Sequence, residues 1–130
     1  MGSNYKTILI VDDDRDYLFQ LRFQIEKWGY KVFAAESQKE AEEILKTLKP
    51  DLAIFDLMME SEDSGFVLSY KTKKLYPDVP IIIATAVSAE TGMSFDISTE
   101  EQKKWIKADV YLEKGVRYDQ LKTEIEKLIK

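Results

Sequence analysis

Asp51-Leu52-Ala53-Ile54-Phe55-Asp56 decides how the chain is read. Four apolar residues between two turn-type segments suit a short strand buried on both faces. Runs of this kind occupy the centre of parallel sheets, covered by helices on each side. A carboxylate at the carboxyl end of such a strand stands where open α/β sheets bind their ligands. One Asp in that place means little. A second acidic run, Asp12-Asp13-Asp14, behind the apolar stretch Ile8-Leu9-Ile10-Val11, points to a chemical site.

Working outward, the remaining chain alternates between strand and helix signals. Lys6 to Val11 is a first buried strand, and Asp14 is placed to cap the helix that follows. Leu18, Leu21, Ile25 and Trp28 fall at helical spacing, with Gly29 just past the end. Lys31-Val32-Phe33-Ala34-Ala35 reads as a second strand. Ser37-Gln38-Lys39-Glu40 is a capping box for a helix striped by Ala41, Ile44, Leu45 and Leu48, and Lys49-Pro50 stops it. After the strand to Asp56, a polar loop leads to a helix from Gly65 to Tyr76 with Phe66, Val67 and Tyr70 facing inward. Val79 to Thr85 is a β-branched fourth strand. Ser98-Thr99-Glu100-Glu101 opens a short helix carrying Trp105 and Ile106. Val110-Tyr111-Leu112 is a brief fifth strand, and a last helix from about Tyr118 shows Leu121, Ile125, Leu128 and Ile129 on one face. Five strands alternating with five helices predict an α/β fold, a parallel sheet wrapped on both sides.

Composition narrows the chemistry. A length of 130 residues suits one domain with a real core. The net charge of −5 argues against a nucleic-acid-binding surface. With no Cys and no His, thiol chemistry, His–metal clusters and His general bases are excluded within the chain. No apolar run approaches a membrane span and no secretory signal opens the sequence, so a cytoplasmic domain is expected. Met1-Gly2-Ser3 reads as a cloning remnant, which leaves residues 4–130 as the single domain.

Each apolar strand core that bears on a site is followed by a polar residue: Asp12 and Asp13, then Asp56, Thr85 and Lys114. In a parallel sheet of order 2-1-3-4-5 these share one edge, with the first and third strands adjacent. Clustered carboxylates repel one another unless a cation intervenes, and a few carboxylates, a carbonyl and waters suit octahedral Mg²⁺. The plainer alternative is that Asp12 to Asp14 only cap the first helix and complement its dipole. Aspartate can also be a nucleophile toward phosphorus, for which Mg²⁺, a Lys ammonium and a hydroxyl would supply positioning and charge neutralisation.

The motifs Ile8-Leu9-Ile10-Val11-Asp12-Asp13, Asp51 to Asp56, Ile81-Ile82-Ile83-Ala84-Thr85-Ala86 and Ala108-Asp109-Val110-Tyr111-Leu112-Glu113-Lys114 resemble those of response-regulator receiver domains, the CheY-like modules of two-component signalling. The resemblance runs from Lys6 to Lys130 and implies a flavodoxin-like sheet. It implies that Asp56 accepts a phosphoryl group from a phosphohistidine on a sensor histidine kinase or phosphotransfer protein. Asp13, Asp56 and the Met58 carbonyl would ligate Mg²⁺, with Asp12 acting mainly through a metal-bound water. Lys114 would pair with the phosphoryl group, the Thr85 hydroxyl would bond to it, and Tyr111 would be the aromatic switch. A downstream protein or output domain would read the result, and a homodimer through the Trp105 helix, last strand and final helix rests on family analogy. Taken alone, Thr85 is also an ordinary strand former and Tyr111 plain core packing.

The chain departs from the pattern in three places. Gly115 stands where a Pro usually follows the Lys, so a trans Lys114-Gly115 bond is expected. After Asp56, Glu60 replaces a common Pro, Glu62 and Asp63 add charge, and Gly65 arrives one residue late. The stretch from Val87 to Thr99 is long; it reads as a surface insertion or as an apolar partner element built on Met93, Phe95 and Ile97. A pseudo-receiver that binds partners without phosphorylation is the alternative function. An Asp-nucleophile phosphohydrolase lacks its second Asp, because Met58 occupies that position. An acidic loop after the first strand would repel the phosphate of a flavin.

Overall fold

The computed structural model describes residues 6–57, 59, 64–85 (Thr85 by its backbone), 109–113 and 117–129. Within them the order is β1 (Thr7–Val11), α1 (Arg15–Lys27), β2 (Lys31–Ala35), α2 (Gln38–Leu45), β3 (Leu52–Asp56), α3 (Ser64–Leu75), β4 (Ile81–Thr85), β5 (Val110–Glu113) and α4 (Tyr118–Leu128). The expected helix around Trp105 and the Val87–Thr99 stretch lie outside the described residues. No helix among the described residues is long and apolar enough to cross a membrane.

The strands form one sheet in the order β2-β1-β3-β4-β5. All four pairings are parallel, and β3 is central, with Val11 opposite Phe55 on one side and Asp56 opposite Ala84 on the other. Every residue of β3 is buried, as its uninterrupted apolar run requires. Strand alternation then divides the core. Ile8, Ile10, Leu52 and Ile54 pack with Leu18, Leu21 and Ile25 of α1 and Leu121 and Ile125 of α4. Leu9, Val11, Ala53 and Phe55 pack with Ala41 and Leu45 of α2 and Leu68 of α3. The helices therefore cover both faces.

The amino edge of the sheet is closed by two carboxylates. Asp51 accepts from the Thr7 N–H at 2.7 Å, and Asp109 accepts from the Ile81 N–H at 2.8 Å. Each stands in for a strand neighbour that the ladder does not supply, and Asp109 also meets Lys73 at 3.0 Å.

Helix ends follow local chemistry. Asp14 caps α1 by accepting from the Asp16 and Tyr17 N–H groups at 3.1 and 3.2 Å. At the other end Gly29 adopts φ 99°, and its N–H bonds to Glu26 O at 3.0 Å while Tyr30 N–H bonds to Ile25 O at 3.4 Å. Those paired bonds satisfy carbonyls that the helix leaves open. The capping box of α2 forms with a shift: Ser37 Oγ accepts from Glu40 N–H, but Glu40 accepts from the N–H of Glu36, one residue before the cap. α2 also ends at Leu45, short of Lys49-Pro50, although Leu48 N–H still reaches Ile44 O at 2.9 Å.

α3 corrects the expected inward face. Its buried residues are Ser64, Gly65, Leu68, Ser69 and Thr72, whereas Phe66 and Val67 are half-buried and Tyr70 is exposed. Small residues let the helix approach the sheet, and the hydroxyls of Ser69 and Thr72 donate to Gly65 O and Leu68 O, both at 2.7 Å. Polar side chains satisfied within their own helix can be buried at little cost.

Gly29 has open space around its α-carbon, so a side chain there meets strain and no clash. Gly29→Ala is expected to lower stability by about 1 kcal/mol in urea denaturation, the cost of a left-handed non-glycine residue; unchanged stability would show that the α1 ending tolerates another geometry.

Candidate functional site

β1 and β3 are neighbours and parallel, so their carboxyl ends meet at one edge. Asp12 follows Val11 at the end of β1, with its N–H on Ala35 O at 3.1 Å, and Asp56 is the last residue of β3. By strand alternation Asp56 shares the face of Leu52 and Ile54, the side on which α1 begins. The carboxylates of Asp12, Asp13 and Asp56 converge there, with one oxygen from each lying within 4.8 Å of the others. Asp12 and Asp56 are buried, at 2% and 6% exposure, while Asp13 is exposed. Asp12 is held in place by accepting the Asp14 N–H at 2.8 Å.

Two buried negative charges at this separation repel by about 3 kcal/mol at an effective dielectric of about 20. The donor set is all oxygen, with no His or Cys in the chain, which suits a hard divalent cation. Oxygens on opposite sides of one octahedral Mg²⁺ lie about 4 Å apart, so a cluster within 4.8 Å approaches the dimensions of a single ion. The residues present fit the cation.

Other expected site residues fall at the same edge to different degrees. Thr85 ends β4, one residue beyond the partner of Asp56, and its backbone is in register with Glu113. Lys114 follows Glu113 and lies outside the described residues, as do Met58, Glu60, Glu62, Asp63 and the Lys114-Gly115 bond. Tyr111 lies in β5 opposite Ile83, half-buried against the α2–α3 core, and its ring meets Phe66 edge-on at 6.5 Å. Burial pushes its phenol up to about 12. The sequence reading missed Phe66 as the partner of Tyr111, since periodicity alone gives no cross-element pairing.

It also missed how closely Gly65 approaches the site. The Gly65 N–H donates to Leu57 O at 2.7 Å, and a Cβ on Gly65 would lie 2.6 Å from the Asp56 carbonyl oxygen. A Gly at a loop–helix boundary was the only sequence signal for it.

A parallel 2-1-3-4-5 sheet with three carboxylates at its carboxyl edge defines a receiver-type α/β domain. The chain belongs to the response regulator receiver domain family, whose model matches residues 8–126. It is 40% identical over 79 residues to the transcriptional regulatory protein GlrR of Escherichia coli (strain K12), covering 61% of this chain and 18% of that protein. Transcriptional regulatory protein ZraR of the same organism is 33% identical over 122 residues, 94% of this chain and 26% of the relative. The chain thus spans well under half the length of either regulator. Among solved structures, response regulator protein TrrA from Thermotoga maritima, in complex with Mg(2+)-BeF, shares 28% identity and a TM-score of 0.77, covering 95% of this chain and 98% of that one.

Two predictions follow from the electrostatics. With divalent cations chelated, Asp56→Asn is expected to raise stability by about 1–3 kcal/mol in urea denaturation, and the gain should shrink as Mg²⁺ is added; a net loss would contradict the repulsion. Tyr111 binds its proton more tightly in the fold, at about 12 against about 10 unfolded. Its contribution to stability is full below pH about 10 and is lost as pH rises through about 12. Tyr111→Phe should therefore flatten the alkaline fall in stability across that window, and parallel curves for the two proteins would overturn the assignment.

Proposed function

We propose that the chain is a Mg²⁺-dependent phosphoacceptor of two-component signalling, with Asp56 as the acceptor. The observation that supports it most is the convergence of Asp12, Asp13 and Asp56 within 4.8 Å at the carboxyl edge. An Asp56 carboxylate oxygen attacks the phosphorus of a phosphohistidine on a sensor histidine kinase or phosphotransfer protein. The new P–O bond forms as the P–N bond breaks, leaving an acyl phosphate on Asp56 and returning the imidazole to the partner. The carboxylate is the ionised form of an acid and requires no base, in keeping with a chain that has no His.

Asp13, Asp56 and the Met58 carbonyl would hold Mg²⁺ with Asp12 behind them, and the ion would offset the negative charge gathered on the phosphoryl oxygens. Lys114 pairs with the phosphoryl group, and the Thr85 hydroxyl bonds to it. Tyr111 changes position against Phe66 as Thr85 moves, which alters the β4–β5 surface for a downstream protein or output domain. The chain acts as a signalling phosphoacceptor whose own chemistry extends at most to autophosphorylation and autodephosphorylation. Residues 4–130 form the one receiver unit, working in the cytoplasm.

Incubation with acetyl phosphate and Mg²⁺ followed by intact-protein mass spectrometry tests this. A single phosphoryl adduct is expected on wild type and none on Asp56→Asn or without Mg²⁺. A folded wild-type protein that takes no adduct under these conditions would instead support partner binding independent of phosphorylation.

A further inference from the structure

We infer that Gly65 is a positioning residue for the acidic cluster: the first turn of α3 is seated directly on the Asp56–Leu57 backbone, and the bare α-carbon of Gly65 sets where the Asp56 carboxylate stands. A Cβ at this position would meet the Asp56 carbonyl oxygen at 2.6 Å, the Leu57 Cα at 2.7 Å and the Asp56 carbonyl carbon at 3.2 Å. All three are main-chain atoms, so no side chain can swing aside. The Gly65 N–H fixes the contact from the other direction by bonding to Leu57 O at 2.7 Å.

Neither partner in the contact has slack. The exit of β3 is tied to β4 by the Leu57 N–H on Ala84 O at 3.2 Å, and Phe55 is paired with Val11 of β1. α3 is anchored next to the contact by the buried Leu68 and Ser69. A methyl group on Gly65 falls about 0.5 Å or more short of ordinary contact, whereas metal–ligand distances tolerate only about 0.2 Å. A displacement shared between helix and strand therefore moves the Asp56 carboxylate off the position from which it can bind an ion together with Asp12 and Asp13. By reciprocity, a cation that draws Asp56 into place tightens the seat of α3. The inference rests on the Mg²⁺ reading above, and it adds a route by which the state of the cluster reaches α3.

The test is Mg²⁺ titration by calorimetry of wild type, Gly65→Ala and Thr72→Ala, each with its stability measured in urea. Thr72 lies two turns along α3 and is fully buried, so its truncation removes packing from the helix away from the seat. Gly65→Ala is expected to weaken Mg²⁺ binding at least tenfold, while Thr72→Ala is destabilised and binds as wild type does. Equal affinity in Gly65→Ala and wild type would overturn this inference alone, as would equal weakening in Thr72→Ala. A wild-type protein that binds no Mg²⁺ would overturn the metal reading and this inference together. Should Gly65→Ala not fold, amide exchange in wild type decides. Saturation with Mg²⁺ is expected to slow the Gly65 amide and to leave that of Gly29 unmoved, and an unmoved Gly65 amide would overturn the inference.

Discussion

Repulsion among the carboxylates at the ends of β1 and β3 is the constraint around which the described structure is arranged. Asp12 and Asp56 are buried and close enough to oppose each other, and Asp13 adds its charge from the surface. A fold selected for stability alone would not gather them. A divalent cation entering the cluster would offset that repulsion, which suits these carboxylates to hold one.

The fold can bear this cost because the edge is held by strong apolar packing immediately behind it. Ile8, Ile10, Leu52 and Ile54 lock the strands against α1 and α4, while Leu9, Val11, Ala53 and Phe55 lock them against α2 and α3. Carboxylates at the opposite edge do different work: Asp51 and Asp109 accept strand N–H groups and stabilise the sheet where no ligand is called for. The same residue type thus closes the ladder at one end and opens a site at the other. α3 joins the acidic cluster to β5, since Gly65 lies against the backbone of Asp56 while the adjacent Phe66 meets the ring of Tyr111.

The sheet was legible in the sequence because parallel strands buried on both faces read as short apolar runs, two of which lead directly into the carboxylates that converge. Asp12, Asp13 and Asp56 could be placed together from strand order alone. Caps at Asp14 and Gly29 were legible for the same local reason: a side chain or a conformation that only certain residues supply. The face of α3 was not legible. Its burial is carried by Ser64, Gly65, Leu68, Ser69 and Thr72, where the hydroxyls of Ser69 and Thr72 are satisfied within the helix, while the larger Tyr70 turns outward. Contacts between distant elements, such as Gly65 on Asp56 or Phe66 on Tyr111, leave no periodic trace.

The most direct test of the central claim is anomalous diffraction from crystals of the wild-type chain soaked in Mn²⁺, an oxygen-seeking stand-in for Mg²⁺. A single strong peak in contact with carboxylate oxygens of Asp13 and Asp56, with Asp12 beside it, is the predicted result. A map with no peak at the carboxyl ends of β1 and β3, or with the ion held elsewhere, would contradict the account.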